Sequence, residues 1–220
     1  MPLDGVLFDL DGTLAETEEL WSQAYRQLAS THGVTLEPGW WSRVIGRDLG
    51  DAAVELLGRD ADTPQQRREA VEQLVDAAVA LLRGRTSDQA TVEWRPGARR
   101  LLDELIRSAV PTAVVTATPR RLLDELAHHL GIEVEVTVAG DEVRRPKPDP
   151  EGYRSAARRL GIDVRRAVVV EDSPTGVAAA AASGARVLAV PAGVPIAPTP
   201  GCTVMDSLTQ VTLQTLAALP

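Results

Sequence analysis

The chain has 220 residues, 44% of them hydrophobic, which is enough to bury a full core as one domain with a large insertion or as two modest domains. Its net charge of -8 argues against nucleic acid as a partner, because proteins that bind a phosphate backbone collect basic side chains on one face. The single cysteine, Cys202, excludes an internal disulfide and a zinc site built from cysteines alone, and no apolar stretch in the sequence has the length of a membrane span.

The first predicted element is a buried strand, Gly5–Phe8, which leads directly into two carboxylates, Asp9 and Asp11. A charge at the end of a buried strand costs several kcal/mol unless it is paired or bound to a metal ion. The pair therefore indicates chemistry rather than packing. The alternative for this motif alone is a strand that runs into an Asp-Gly turn at Gly12.

The next segment, up to about residue 88, has helical periodicity and no strand signal. Helices are predicted over residues 17–30 and 48–57 and from Thr63-Pro64 onward. An all-helical block inserted directly after the first strand is typical of a lid. We therefore predict a cap domain over residues 16–88 and a core domain formed by residues 1–15 and 89–220, with Gly12 and residues 95–97 as hinges.

Short apolar and β-branched runs alternate with helical patterns in the second half of the chain. The predicted strands are residues 112–116, 134–139, 167–171 and 186–190. The predicted helices lie between Pro119 and Gly131, between Asp149-Pro150 and Gly161, and between Ser173-Pro174 and Gly184. This alternation predicts an α/β fold with a doubly wound parallel sheet, in which ligands bind beyond the carboxyl ends of the strands.

Lys147 is the single lysine among 23 basic side chains, and it lies in an Arg-Pro-Lys-Pro-Asp-Pro segment. Its retention indicates a position that needs a compact ammonium, which the broad and planar guanidinium of arginine does not replace. Retention by chance is the alternative.

Reactive side chains follow the ends of the predicted strands in a defined order. They are Asp9 and Asp11, then Thr116, then Lys147, then Glu171 and Asp172. This order, together with the helical insertion, resembles the haloacid dehalogenase superfamily, and in particular its small phosphatases and β-phosphoglucomutase-like proteins. The resemblance extends over essentially the whole chain and rests on residues 9–13, Val115-Thr116, Lys147-Pro148 and residues 170–176. It implies a Rossmann-like core with an inserted helical cap.

The resemblance also implies a catalytic mechanism. Asp9 would attack phosphorus to form an aspartyl phosphate, while Asp11 would protonate the leaving oxygen and then deprotonate the hydrolytic water. Thr116 and the backbone N–H of Ala117 would hold the oxygens of the transferring phosphoryl group. An aspartate at position 11 favours phosphomonoester chemistry, because dehalogenating relatives do not need this acid.

Magnesium is the cofactor that the resemblance implies. Asp9, the backbone carbonyl of Asp11 and Asp172 would hold the ion, with Glu171 just outside the ligand set, and oxygen ligands suit this hard cation. Lys147 would add a second positive charge beside the phosphoryl group.

The sequence departs from the mutase pattern at the positions that would hold a second phosphate. Trp21 lies where mutases carry a histidine, Pro119 replaces a lysine, and residues 16–88 contain no lysine. Trp21 and Arg47 of the cap and Arg120 of the core are the remaining candidate substrate-binding residues, with Arg43 as a further cation. The alternative is that the arginines are solvated and that Trp21 is a core residue. These departures favour a hydrolase, and a β-phosphoglucomutase-like phosphomutase is the alternative.

The expected partner is a small phosphorylated metabolite, such as a sugar phosphate, a polyol phosphate or phosphoglycolate, with no nucleic acid and no membrane. The residues around Asp4 do not resemble a signal peptide, so we expect a cytoplasmic protein. The sequence carries no signal for an oligomeric state.

Overall fold

The computed structural model describes residues 3–45, 47–57, 63–84 and 92–220. The chain divides into two compact units, one formed by Met1–Glu16 with Glu93–Pro220 and the other by Thr17–Val92. We call the first the core unit and the second the helical unit. The predicted domain boundary between residues 88 and 89 lies outside the described residues.

Within the residues that the structure describes, all strands belong to the core unit, whereas helices occur in both units. The strands are β1 (Gly5–Phe8), β2 (Ala15–Glu16), β3 (Glu93–Trp94), β4 (Thr112–Val115), β5 (Val136–Val138), β6 (Ala167–Glu171), β7 (Arg186–Ala189) and β8 (Cys202–Val204). The helices are α1 (Glu18–Thr31), α2 (Trp40–Val44), α3 (Leu49–Leu56), α4 (Pro64–Gly84), α5 (Ala98–Arg107), α6 (Arg120–Leu130), α7 (Glu151–Leu160), α8 (Pro174–Ser183) and α9 (Leu213–Ala217). Short 3-10 helices lie at Gly140–Glu142, Val164–Arg166 and Leu208–Gln210.

Six parallel strands form the main sheet, in the order β5-β4-β1-β6-β7-β8. The predicted doubly wound parallel sheet is therefore confirmed. The chain leaves β1 toward β4 on one side and later reaches β6 on the other side, so the strand order reverses at β1. This reversal opens a crevice at the carboxyl ends of β1 and β6, which is where open α/β sheets bind their ligands. All residues of β1, β4, β6 and β7 are buried, as strands covered by helices on both faces must be.

The predicted helix ends in the core unit are confirmed by their backbone geometry. Pro119 has an extended conformation directly before α6, and Gly131, Gly161 and Gly184 end α6, α7 and α8 in the left-handed region. The Ser173 hydroxyl accepts a hydrogen bond from the backbone N–H of the third residue of α8 and caps that helix. These caps place the start of α8 directly behind the carboxyl end of β6.

Three strands were not predicted from the sequence. β2 and β3 pair as a two-residue antiparallel ladder, in which Ala15 lies opposite Trp94. β8 is a three-residue edge strand that pairs with β7. The hinge role assigned to Gly12 and residues 95–97 stays a prediction, although Gly12 and Gly97 both have a positive φ, as a sharp change of chain direction requires.

The helical unit consists of α1 to α4, and three of these were predicted. The unpredicted helix, α2, has five residues and carries two tryptophans. Tyr25, Trp40 and Trp41 pack edge to face, with ring centroids 5.4–6.3 Å apart. Tyr25 and Trp40 are buried in the interior of this unit, whereas Trp41 is half-buried. Among the described residues, no helix has both the length and the apolar character needed to cross a bilayer. The role of the helical unit as a cap stays a prediction.

Candidate active site

The carboxyl edge of the sheet brings together the reactive residues from four segments of the core unit. Asp9 and Asp11 follow β1, Thr116 follows β4, and Glu171 and Asp172 stand at the end of β6. Lys147 comes from the loop that precedes α7. β1 lies between β4 and β6, and this strand order places the three strand ends side by side.

Asp9 and Lys147 form a buried ion pair at the centre of this edge. Lys147 Nζ donates to Asp9 Oδ1 at 2.5 Å, and it also donates to Glu171 Oε1 at 2.6 Å and to the Val115 carbonyl at 3.2 Å. Burial alone would lower the pKa of Lys147, but Asp9 and Glu171 raise it well above its ordinary value. Lys147 is therefore a fixed positive charge beside the Asp9 carboxylate.

Glu171 is completely buried and anchors this edge of the sheet. Its two oxygens accept hydrogen bonds from Lys147 Nζ, the Tyr153 hydroxyl, the N–H groups of Asp172 and Ser173, and the Ser173 hydroxyl, at 2.6–3.1 Å. A Cβ on Gly176 would overlap the Glu171 carboxylate, so this glycine gives the carboxylate its room. Lys147 and these hydrogen bonds outweigh the effect of burial and lower the pKa of Glu171. Glu171 is therefore an ionised anchor whose oxygens already have donors.

Tyr153 is a member of this cluster that the sequence did not reveal. It lies on α7, is 1% exposed, and donates its hydroxyl to Glu171 Oε1 at 2.7 Å. The signal that could have found it is its place among the apolar positions of α7, because a buried tyrosine hydroxyl needs an acceptor.

Asp11 is held by two threonines. Thr116 Oγ1 and Thr118 Oγ1 both donate to Asp11 Oδ2, at 2.9 and 2.7 Å, and the Thr118 N–H donates to Thr116 Oγ1 at 3.0 Å. The sequence predicted Thr116 but missed Thr118, and the Thr-x-Thr spacing directly after β4 is the signal for it. The Asp11 carboxylate is thus directed at the same edge as the Asp9 carboxylate.

Asp172 completes the acidic cluster. Its Oδ1 accepts a hydrogen bond from the Thr13 hydroxyl at 3.2 Å, and a Cβ on Gly12 would overlap its Oδ2. Burial and the neighbouring Glu171 raise the pKa of Asp172 to about 7, although Lys147 and the Thr13 hydrogen bond act in the opposite direction.

The donor set fits a magnesium ion. Carboxylate oxygens of Asp9, Glu171 and Asp172 lie within 4.8 Å of one another. The three carboxylates face a single ammonium, that of Lys147, so a further cation would offset the excess negative charge. Hard oxygen donors are the ligands that Mg2+ prefers. Because the Glu171 oxygens already accept five hydrogen bonds, Asp9 and Asp172 are the better candidates for direct ligands.

The other predicted core residues have different surroundings. Ala117 is exposed at the carboxyl edge, one residue after Thr116. The Arg120 guanidinium contacts Thr137 of β5 and the carboxylates of Asp124 and Glu142, at 2.7–3.2 Å. These contacts make Arg120 a structural link between α6 and β5. Its role in binding substrate stays a prediction.

The predicted cap residues belong to the helical unit. Trp21 is a buried residue of α1, and Arg47 is an exposed residue directly before α3 that forms an ion pair with Glu55. Gly46, which directly precedes Arg47, lies outside the described residues. The substrate-binding roles of Trp21 and Arg47 stay predictions.

Sequence comparison finds relatives over most of the chain. The family model described as haloacid dehalogenase-like hydrolase matches residues 3–184, which extend from β1 through α8. Validoxylamine A 7'-phosphate phosphatase from Streptomyces hygroscopicus subsp. limoneus is 33% identical over 184 residues, and the alignment covers 81% of this chain and 81% of that protein. The phosphorylated carbohydrates phosphatase of Thermotoga maritima is 30% identical over 187 residues, which are 83% of this chain and 82% of that protein.

Structure comparison gives the same result. A variant of CbbY from Rhodobacter sphaeroides, solved in complex with xylulose-(1,5)bisphosphate, aligns with a TM-score of 0.84. The alignment covers 97% of this chain and 99% of that chain at 27% sequence identity. The aligned residues thus include most of the core unit and most of the helical unit.

Proposed function

The chain belongs to the haloacid dehalogenase-like hydrolases and is a phosphomonoesterase, and from this premise we propose its substrate class and mechanism. We propose that it hydrolyses a small phosphorylated sugar or a similar metabolite, with Mg2+ as cofactor and through an aspartyl phosphate on Asp9. The observation that carries this proposal is the Asp9 carboxylate paired with Lys147 at 2.5 Å, beside the Asp11 carboxylate and the acidic cluster.

The first half of the reaction transfers the phosphoryl group to Asp9. A dianionic phosphate that approaches a carboxylate to about 4 Å meets a repulsion of about 4 kcal/mol per charge pair at an effective dielectric constant near 20. Lys147 offsets part of this repulsion because its ammonium lies against the attacking carboxylate. As the bond from Asp9 to phosphorus forms, the bond to the ester oxygen breaks, and Asp11, which must enter this step with its carboxyl group protonated, donates that proton to the departing alcohol.

The second half of the reaction regenerates the enzyme. Asp11, now a carboxylate, takes a proton from a water molecule, which attacks phosphorus, breaks the bond to Asp9 and releases inorganic phosphate. Thr116 has one hydroxyl proton, which it gives to Asp11 in this structure. If the Thr116 hydroxyl donates its hydrogen bond to a phosphoryl oxygen of the substrate instead, Asp11 still accepts the hydrogen bond from Thr118. Ala117 would contribute its N–H to the same phosphoryl group.

Magnesium would be held by Asp9, Asp172 and the backbone carbonyl of Asp11. When bound there, the ion would supply positive charge to the phosphoryl oxygens and the acidic cluster. Glu171 would keep Asp172 and Lys147 in place through its hydrogen bonds to both residues.

The substrate class is supported by the names of three similar proteins. One is a phosphatase of validoxylamine A 7'-phosphate, the second is a phosphatase of phosphorylated carbohydrates, and the third was solved with xylulose-(1,5)bisphosphate. All three ligands are phosphate esters of polyhydroxylated compounds. We therefore place sugar phosphates and polyol phosphates ahead of phosphoglycolate.

A substrate panel tests this proposal. Purified protein with magnesium would be given sugar phosphates, polyol phosphates and phosphoglycolate, and released inorganic phosphate would be measured. We expect the highest kcat/KM for a member of the first two groups and no release after chelation of the metal. Highest kcat/KM for phosphoglycolate would contradict the proposed substrate class.

β-Glucose 1-phosphate separates a hydrolase from a mutase. Because Trp21 takes the place of the mutase histidine and the cap has no lysine, we expect inorganic phosphate or no reaction from this compound. Added glucose 1,6-bisphosphate should not activate the protein. Efficient formation of glucose 6-phosphate in a coupled assay would instead identify a phosphomutase.

A further inference from the structure

Tyr153 connects the helical layer of the core unit to the charged cluster at the carboxyl edge. Its ring packs in the hydrophobic core with Leu7, Val115 and Val169, whereas its hydroxyl donates to Glu171 Oε1 at 2.7 Å. The side chain is 1% exposed, so water does not compete for this hydrogen bond. The hydroxyl therefore holds a stable hydrogen bond to the Glu171 carboxylate.

Glu171 Oε1 is shared between two donors. The Tyr153 hydroxyl and Lys147 Nζ both donate to this oxygen, at 2.7 and 2.6 Å. Lys147 in turn donates to Asp9 Oδ1 at 2.5 Å and to the Val115 carbonyl at 3.2 Å, so its three N–H groups have three acceptors. The ammonium also lies 5.1 Å from the centroid of the Tyr153 ring. The position of Lys147 thus depends on how strongly Glu171 attracts it relative to Asp9.

We propose that Tyr153 is a positioning residue that keeps Lys147 on the nucleophile. Its hydroxyl satisfies part of the hydrogen-bonding capacity of Glu171 Oε1, so that Glu171 does not draw the ammonium away from Asp9. A phenylalanine would fill the same volume in the core, and a buried hydroxyl is costly unless it is hydrogen-bonded. Core packing alone therefore requires the ring of Tyr153 but not its oxygen. This inference rests on the proposed function, because it assigns Lys147 a part in phosphoryl transfer.

The chain offers a direct spectroscopic test, because Lys147 is its single lysine. Selective labelling with 15Nζ-lysine yields one ammonium resonance, which reports the hydrogen bonds of Lys147 whether or not a substrate is known. We expect Tyr153→Phe to change the chemical shift of this resonance, because Glu171 Oε1 loses the hydrogen bond from Tyr153 and attracts the Lys147 ammonium more strongly. The matched control is Tyr25→Phe, which removes the hydroxyl of the chain's other tyrosine, a buried residue of α1 in the helical unit. This control should leave the resonance in place.

Kinetics with p-nitrophenyl phosphate supply the second readout. In Tyr153→Phe we expect kcat to fall about tenfold, as for the loss of one hydrogen bond to a charged group, with KM changed by less than about twofold. The circular dichroism should stay that of the wild type, and the melting temperature should fall by no more than the loss of one buried hydrogen bond explains. A role in packing alone would leave both kcat and the Lys147 resonance unchanged, because phenylalanine keeps the ring.

The outcomes separate this inference from the proposed function. The wild-type rate of phosphate release tests the function, whereas the Lys147 resonance and the ratio of variant to wild-type kcat test Tyr153. A moved resonance with a reduced kcat supports the inference, and an unmoved resonance or an unchanged kcat overturns it. If Tyr153→Phe does not fold, wild-type protein grown with 3-fluorotyrosine keeps the hydroxyl but makes it a stronger donor. A moved Lys147 resonance then supports the inference, and an unmoved one overturns it.

Discussion

At the scale of the residue, the site depends on side-chain shape as much as on charge. Lys147 has a compact ammonium that reaches three acceptors at the carboxyl ends of β1, β4 and β6, two of them carboxylates. A guanidinium presents its donors in a wide plane and cannot direct them into the same small volume. The retention of one lysine in a chain that otherwise uses arginine follows from this geometry.

We expect Lys147→Arg to lower kcat by about a hundredfold although it keeps the positive charge. The larger side chain should also lower the free energy of unfolding by about 1–3 kcal/mol, because the site is buried. Steady-state kinetics and chemical denaturation measure the two effects. The matched control is Arg165→Lys at an exposed position, which should change neither quantity. Equal activity in Lys147→Arg would show that the lysine was retained by chance.

At the scale of the element, the strand ends and helix starts bring the cluster together. Helix α8 begins directly after β6, and Gly176 in its first turn leaves room for the Glu171 carboxylate. The same turn gives Glu171 the Ser173 N–H and hydroxyl as donors. The local sequence from Glu171 to Gly176 therefore holds a buried carboxylate at the edge of the sheet.

We expect Gly176→Ala to displace the Glu171 carboxylate and to lower the free energy of unfolding by about 3 kcal/mol, with a loss of activity. The matched control is Gly84→Ala at the end of α4, where a Cβ would meet no atom of the described residues within 4 Å. The control should leave stability unchanged or slightly higher, since alanine favours a helix over glycine. Denaturation curves for both variants give the comparison, and equal stability in the two would contradict the crowded geometry.

The sequence predicts long and regular elements better than short ones. β1, β4, β6 and β7 are continuous apolar runs because helices cover both faces of the sheet, and such runs are visible without a structure. β2 and β3 have two residues each and β8 has three partly exposed residues, so no periodicity can reveal them. The helix α2 was not predicted for the same reason, because its five residues are too few to show a helical period.

The residues of the site likewise fall into those that the sequence predicts and those that it does not. Asp9, Asp11, Glu171 and Asp172 belong to motifs at strand ends, and parallel strands bring their carboxyl ends to one edge. Lys147 is visible in the sequence because it is the single lysine and lies between two prolines. Tyr153 and Thr118 reach the cluster through the orientation of a helix and of a turn. Such orientations depend on tertiary packing, which a single sequence does not show.

At the scale of the whole molecule, we expect the charge of the cluster to couple metal binding to folding. The chain has a net charge of -8, and several of its carboxylates are concentrated at one buried edge. Mutual repulsion of these groups weakens the folded state until a cation offsets it. Magnesium should therefore stabilise the folded core unit as well as activate it.

We expect saturating magnesium to raise the melting temperature, since a ligand at 100 times its Kd contributes about 2.7 kcal/mol to stability. Asp172→Asn should remove most of this increase, whereas the control Asp103→Asn, at an exposed position of α5, should keep it. Differential scanning calorimetry with and without a chelator measures the effect. An equal increase in Asp172→Asn and wild type would place the bound ion at another site.

The central claim is that Asp9 is the nucleophile of a phosphomonoesterase, and one measurement tests it most directly. Phosphate release from the best substrate of the panel is compared between wild-type protein and Asp9→Asn at saturating magnesium, after circular dichroism has shown that both are folded. The account predicts that the rate falls by about a thousandfold or more, because the substitution removes the attacking carboxylate and a metal ligand while it keeps the side-chain volume. Turnover by the folded Asp9→Asn variant within about tenfold of wild type would contradict the account.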